Sequence, residues 1–273
     1  MTDPDAHRAS VEEWRSQRYA ALRRDTGWLT LAGLDWLRPG VNRVGTSADG
    51  EIVLPSGPAE AGTLTLIDRG VRADGNPGGL SIDGQPVAGR RLEDDREGEP
   101  TMLELGPLRL CIIERGGRMA VRTWDTASAA RRDFAGIDHW PANAAWQLDA
   151  RFEPTGRTLQ VPDVLGTVED ETSPGEVVFE VDGATHRLQA LPGGDAGELW
   201  LVFGDATNGV ETYGGGRFLY TSAPDADGRV TVDFNRAYNP PCVFSPYATC
   251  PLPWPANRLP IRIEAGERNW DLH

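Results

Sequence analysis

Asp233 and Asn235 alternate with Val232 and Phe234 in the run Val230-Thr-Val-Asp-Phe-Asn235. On an extended strand this alternation sends both polar side chains to one face. Arg217, within Gly214-Gly-Gly216-Arg217-Phe-Leu-Tyr220, can reach the same face from a neighbouring hairpin strand. Such a cluster suits acid/base chemistry: Asp233 as the base, Arg217 holding an anionic group, and Tyr238 or Tyr247 supplying a proton or hydrogen bond. A purely structural Arg217–Asp233 pair accounts for the same residues, since ion pairs arise in architecture as well as in sites. Four of the five tyrosines and two of the three cysteines fall between Tyr213 and Cys250. The candidate catalytic residues are therefore Asp233, Tyr238, Tyr247 and Cys250, and Tyr213, Arg217, Asn235, Asn257 and Arg258 are expected to bind substrate.

Cys242 and Cys250 each lie beside proline. A nucleophilic cysteine needs a base or a nearby cation, and Arg217, Arg236 and Arg258 are the local cations. The competing reading is a buried, inert thiol. Zinc would need two further ligands, and His7, His139, His186 and His273 show no ligand spacing, so no metal is expected. No Gly-x-Ser-x-Gly elbow supports a Ser–His–Asp triad. Gly214 to Gly216 precedes a strand rather than opening a helix, which excludes a dinucleotide fingerprint. It reads as a bulge or close backbone crossing, or as a place where a ligand approaches the main chain.

All 27 basic residues are arginine. The absence of lysine excludes a Schiff-base or P-loop lysine and leaves Arg to hold any carboxylate or phosphate. No organic cofactor is expected. A net charge of −14 opposes binding to nucleic acid and to anionic membranes. The polar N-terminus, the lack of a long apolar run and an odd cysteine count point to the cytoplasm. The expected partner is a small molecule, anionic if Arg217 meets it.

The elements that must position these residues are mainly strands. One amphipathic helix is predicted, capped by Ser10 with Glu13 completing a capping box and ended by Asp25-Thr-Gly27. Short strands follow at Glu51–Leu54, Thr63–Leu66, Leu80–Ile82, Leu108–Ile113 and Met119–Thr123, without helices between them, as in a β-sandwich. Further strands are expected at Arg157–Val161, Glu176–Val181, His186–Ala190, Leu199–Phe203, Val230–Asn235 and Ile261–Glu264, with Asp182-Gly183 as a hairpin turn. Tyr238 to Pro260 is too rich in proline for a helix or central strand, yet its aromatic content argues against disorder. The expected organisation is an N-terminal helix (1–27), a β-sandwich (28–125), a connector (126–154) and a C-terminal antiparallel β domain carrying the Pro-rich segment (155–273).

Gly40-Val-Asn-Arg-Val-Gly45, Glu51–Leu54, Asp83-Gly84 and Leu105-Gly106 follow one another in an order that resembles a forkhead-associated sandwich. Where that family places a phosphothreonine-binding Ser-Arg run, this chain has Ala61-Gly-Thr63, so the resemblance implies the fold without the phosphopeptide activity. Asp205 to Asn208, Tyr213 to Tyr220, Asp233-Phe-Asn-Arg-Ala-Tyr-Asn-Pro-Pro-Cys242, Cys250-Pro-Leu-Pro253 and Asn257-Arg-Leu-Pro260 resemble the signature of a bacterial and archaeal domain of unknown function, family number 1684. That resemblance brings no activity with it. The residue chemistry favours a small-molecule enzyme, hydrolytic or acid/base, or a binder with its site in the C-terminal domain; the alternative is an interaction module on the sandwich.

Overall fold

The computed structural model describes residues 3–96 and 98–270. The chain is mainly β, with an N-terminal helix and several antiparallel sheets. It divides into two compact units: Ala21–Phe134, and Met1–Ala20 together with Ala135–His273. The helix is thus not a separate segment over 1–27, and the expected connector is shared between the units.

Helix α1 (Pro4–Leu22) starts ahead of the predicted Ser10 cap. Asp3 Oδ1 accepts the Asp5 N–H at 3.1 Å and Pro4 takes the first helical position, where a missing N–H costs nothing. Ser10 instead lies inside the helix, with its hydroxyl 2.6 Å from Arg236 Nη2.

The Ala21–Phe134 unit holds β1 (Leu31–Trp36), β2 (Gly40–Gly45), β3 (Ile52–Val53), β4 (Gly62–Ile67), β5 (Gly70–Gly75), β6 (Ser81–Ile82), β7 (Gln85–Pro86), β8 (Arg90–Leu92), β9 (Leu103–Leu105), β10 (Leu108–Arg115), β11 (Arg118–Asp125) and the short α2 (Ala129–Arg132). They form a six-stranded sheet, β1-β11-β10-β9-β6-β7, and a five-stranded one, β3-β2-β4-β5-β8, in which only β2 and β3 are parallel. One apolar cluster takes Val44, Leu64 and Val71 from the second sheet and Leu103, Leu110 and Val121 from the first, which makes the unit a sandwich. Its inward residues alternate with half-buried ones along β4 and with exposed ones along β5, the pattern of strands wet on one face.

The other unit holds β12 (Gln147–Pro162), β13 (Val168–Val181), β14 (Ala184–Pro192), β15 (Leu199–Phe203), β16 (Arg217–Thr221) and β17 (Arg229–Asp233), in the antiparallel order β16-β15-β14-β13-β12-β17. Asp182 and Gly183 have φ of 51° and 76°, as the predicted two-residue hairpin turn between β13 and β14 requires. Phe179, Phe203 and Phe234 meet edge to face in the core, with ring centroids 5.4 and 5.5 Å apart.

Two expected strands differ. β17 stops at Asp233, and Phe234–Arg236 turn into a 3₁₀ helix because the Asp233 carboxylate caps the Asn235 N–H at 3.2 Å. Ile261–Glu264 joins no sheet. The Ile261 carbonyl accepts from Ala206 N and the Ile263 carbonyl from Arg217, so its backbone is satisfied by a loop and a side chain.

Helix α1 is tied to this second unit by charge. Arg18 Nε lies 3.2 Å from Glu267 Oε1, Arg18 Nη2 donates to the Asn239 carbonyl at 2.9 Å, and Arg15 Nη2 donates to the Trp140 carbonyl at 2.8 Å.

Candidate functional site

The expected Arg217–Asp233 cluster does not form. Arg217 points into the core with no exposed surface, and its Nη2 reaches Asp205 Oδ2 at 2.6 Å, an acid that is also fully buried as a side chain. The same guanidinium donates to the carbonyls of Ile263 and Ala265. Asp205 Oδ1 accepts the Thr207 N–H at 2.8 Å, so one ion pair fastens the 205–209 turn to the C-terminal segment. Burial lowers the Arg217 pKa, and the charges of Asp205 and Glu267 oppose that shift. An arginine so enclosed cannot hold a substrate anion. The turn carrying Asp205 begins just past Phe203, the cross-strand partner of Arg217, and this supplies the nearer carboxylate.

Asp233 has other partners. His7 Nε2 from helix α1 lies 3.0 Å from its Oδ2, Arg236 Nε lies 3.4 Å away, and Asn235 Nδ2 donates to Oδ1 at 2.8 Å. Asn235 stands in for a strand: its Oδ1 accepts the Asn143 N–H and its Nδ2 donates to the Asn143 carbonyl. Asn257 does the same for Gln189, with a third bond to the Val202 carbonyl. Tyr238 is packed beneath Arg18, whose guanidinium carbon is 4.5 Å from the ring centroid, and burial raises its pKa. These residues are accounted for by architecture. Arg258 and Tyr247 are exposed, and neither is drawn to Asp233.

Tyr213, Cys242 and Cys250, by contrast, converge. Pro240 and Pro241 set the backbone for a single 3₁₀ turn, Pro241–Val243, with Cys242 at its centre. Ser245 N–H bonds back to the Pro241 carbonyl and Ala248 N–H to the Ser245 carbonyl, so the chain doubles round until the Cys242 N–H meets Cys250 Sγ at 3.1 Å. Val164 N–H on the Cys250 carbonyl and Leu252 N–H on the Pro162 carbonyl anchor the returning limb to the turn between β12 and β13. Cys242 is half-buried and Cys250 buried, and neither is in a disulfide.

Tyr213 reaches this turn because of the glycines that follow it. A Cβ on Gly215 would lie 2.3 Å from the Tyr213 ring, and one on Gly216 would lie 2.4 Å from the Pro253 ring. At Gly215 and Gly216 the missing side chains thus serve a close approach of protein to protein. Burial, then a hydrogen bond with Cys242 and the two thiols' charges, pushes the Tyr213 phenol up to about 12. Its hydrogen bond with Cys250, helped by Tyr213 and its own backbone N–H and opposed by burial, holds the Cys242 thiol below its ordinary range. Both shifts favour ionisation of Cys242 over ionisation of Tyr213. Cys111, buried in β10, is the opposite case: burial pushes it up to about 12.

The sequence pattern named Tyr213 and Cys250 but made Cys242 no site residue, and it missed His7 and Asp205. The eight-residue spacing of the cysteines was the one signal for Cys242. Nothing local could tie His7 to an acid 226 positions away. No group of three or more His, Cys, Asp or Glu among the described residues could hold a metal ion. A separate groove of about 1110 Å³ runs over β12, β13 and β17, with Asp149, Glu180, Asp227 and Arg229 on its walls. It contains none of the thiols or predicted site residues.

The chain belongs to the family described as protein of unknown function (DUF1684), whose model matches residues 132–268. It is also similar, at 29% identity and a TM-score of 0.42, to the solution NMR structure of an uncharacterized protein of Haloarcula marismortui, over 51% of this chain and 79% of that one. No curated protein matches it.

Proposed function

We propose that the C-terminal unit is a small-molecule enzyme that works through a reactive thiol and needs no organic cofactor. Cys242 is its nucleophile, Tyr213 its proton donor and Cys250 the partner that stabilises the thiolate. The observation that carries this reading is the convergence of a half-exposed thiol, a buried thiol and a phenol on one turn. The acid/base chemistry expected of Asp233 passes to Tyr213, since Asp233 is enclosed by His7, Asn235 and Arg236. No helix among the described residues is long and apolar enough to cross a membrane, and free thiols are at home in a reducing cytoplasm, where we place the protein.

The test is the pH profile of alkylation by iodoacetamide, followed by peptide mass spectrometry. Cys242 should react with an apparent pKa below the ordinary thiol value of about 8.5, and Tyr213→Phe should move that pKa upward. A profile for Cys242 that rises only above the ordinary range would reject the reading.

A second reading, an interaction module on a forkhead-associated-like sandwich, draws support from a pocket of about 230 Å³ lined by Arg43, Ser47, Glu60, Thr63 and Asn76. Its one arginine is already engaged, with Nε 3.2 Å from Glu51 Oε2, which argues for a neutral peptide over a phosphorylated one.

A further inference from the structure

Two thiols, one half-exposed and one buried, share hydrogen bonds across a single tight turn. Stabilising the Cys242 thiolate is one use of a second sulfur at that distance, but any hydrogen-bond donor could serve that role. A second sulfur matters when the first is oxidised, because it can displace the oxygen and close a disulfide. The turn is suited to this. The backbone N–H of one cysteine already touches the sulfur of the other, so closure needs side-chain rotation rather than transport of a loop. The half-exposed partner faces an incoming oxidant and the buried one resolves it, which divides the roles.

We infer that Cys242 and Cys250 form a two-electron couple that reduces small hydroperoxides, Cys242 being the attacking and Cys250 the resolving sulfur. This rests on the reactive-thiol reading of the same site and names its substrate class.

In the first step the Cys242 thiolate attacks the terminal oxygen of ROOH. The S–O bond forms, the O–O bond breaks, and the alkoxide leaves as ROH on taking the Tyr213 phenolic proton. Cys242 is then a sulfenic acid. In the second step Cys250 gives its proton to Tyr213 and attacks the Cys242 sulfur. The S–S bond forms, the S–O bond breaks, and hydroxide leaves as water after capturing a proton from solvent. One dithiol and one hydroperoxide thus become one disulfide, one alcohol and one water, with protons balanced. A low-molecular-weight thiol restores the pair: two RSH are oxidised to RSSR as the Cys242–Cys250 bond is reduced.

The probe is hydrogen peroxide, added in equal amount to the full chain, with intact and peptide mass spectrometry under non-reducing conditions. The expected result is a loss of about 2 Da, localised to a Cys242–Cys250 peptide, while Cys111 stays reduced. Cys250→Ser should stop at the sulfenic acid, a gain of about 16 Da trapped by dimedone. Cys250→Ala, which places no hydroxyl in the buried site, checks that this arrest is not misfolding. Peroxide that leaves both thiols untouched, or that drives wild-type Cys242 to the sulfinic acid with no disulfide, overturns the couple. If iodoacetamide still finds a low-pKa Cys242 in that case, the reactive-thiol reading stands and only the substrate class has failed.

Discussion

Replacing Asp205 by asparagine removes a charge while keeping the shape of the turn. The amide oxygen of the new side chain can still accept the Thr207 N–H that Asp205 Oδ1 accepts at 2.8 Å. Arg217 is left with no exposed surface, its remaining partners being the Ile263 and Ala265 carbonyls. Breaking one side of a buried pair costs about 3–5 kcal/mol, because the surviving charge is uncompensated. With urea slopes of about 1–3 kcal/mol per M, the unfolding midpoint should fall by roughly 1–5 M. Arg217→Met should lose a similar amount, since it strands the Asp205 carboxylate and two carbonyls. The double variant should not lose the sum: residues in one network fall short of additivity by about 0.5–3 kcal/mol. Urea denaturation followed by tryptophan fluorescence measures all three. Single losses below about 1 kcal/mol, as at solvated surface positions, would refute the account and return Arg217 to a wet pocket.

Half-buried His139, whose Nε2 has no partner among the described residues and whose Nδ1 lies 2.7 Å from the Ile137 carbonyl, is held down to about 4 chiefly by burial. Its folded pKa lies below the unfolded value, so the stability it contributes is present above about pH 6.5 and is lost as pH falls through about 4. That loss is about 3 kcal/mol at about 1.36 kcal/mol per unit, and His139→Gln should flatten the pH dependence of the urea midpoint over that window. A phosphothreonine peptide array should show no phosphate-dependent binding, because Arg43 is occupied by Glu51; micromolar binding that disappears on dephosphorylation would sink this.

Much of the fold was legible locally. Short apolar runs bounded by turn residues marked β4, β10, β11 and β15, and Asp182-Gly183 marked its hairpin, because strand propensity and turn chemistry act over a few residues. The helix start was misplaced because Asp3-Pro4 competes with Ser10 as a cap, and composition does not rank them. The site was half legible. Its tyrosines and cysteines stood out by clustering, but which acid Arg217 meets depends on a turn that bends Asp205 back over the strand end. Asp233 was read as a strand residue, yet its own carboxylate ends the strand. Polar residues buried for architecture and residues gathered for chemistry have the same composition, and only burial and partners separate them.

Helix α1 has a consequence for how the protein is made. Arg18 leaves the ribosome 249 residues ahead of its partner Glu267. The helix must therefore be carried, unpaired, while the whole Ala21–Phe134 unit and six further strands are synthesised. Until residue 267 emerges, the apolar face of Val11 and Trp14 has no completed surface to cover. During that interval the nascent chain displays a sticky amphipathic segment, the kind of surface that chaperones bind. A fragment cut to the family-matched residues 132–268 would inherit the converse problem: a fully buried Glu267 without its guanidinium, and an Asp233 without its imidazole.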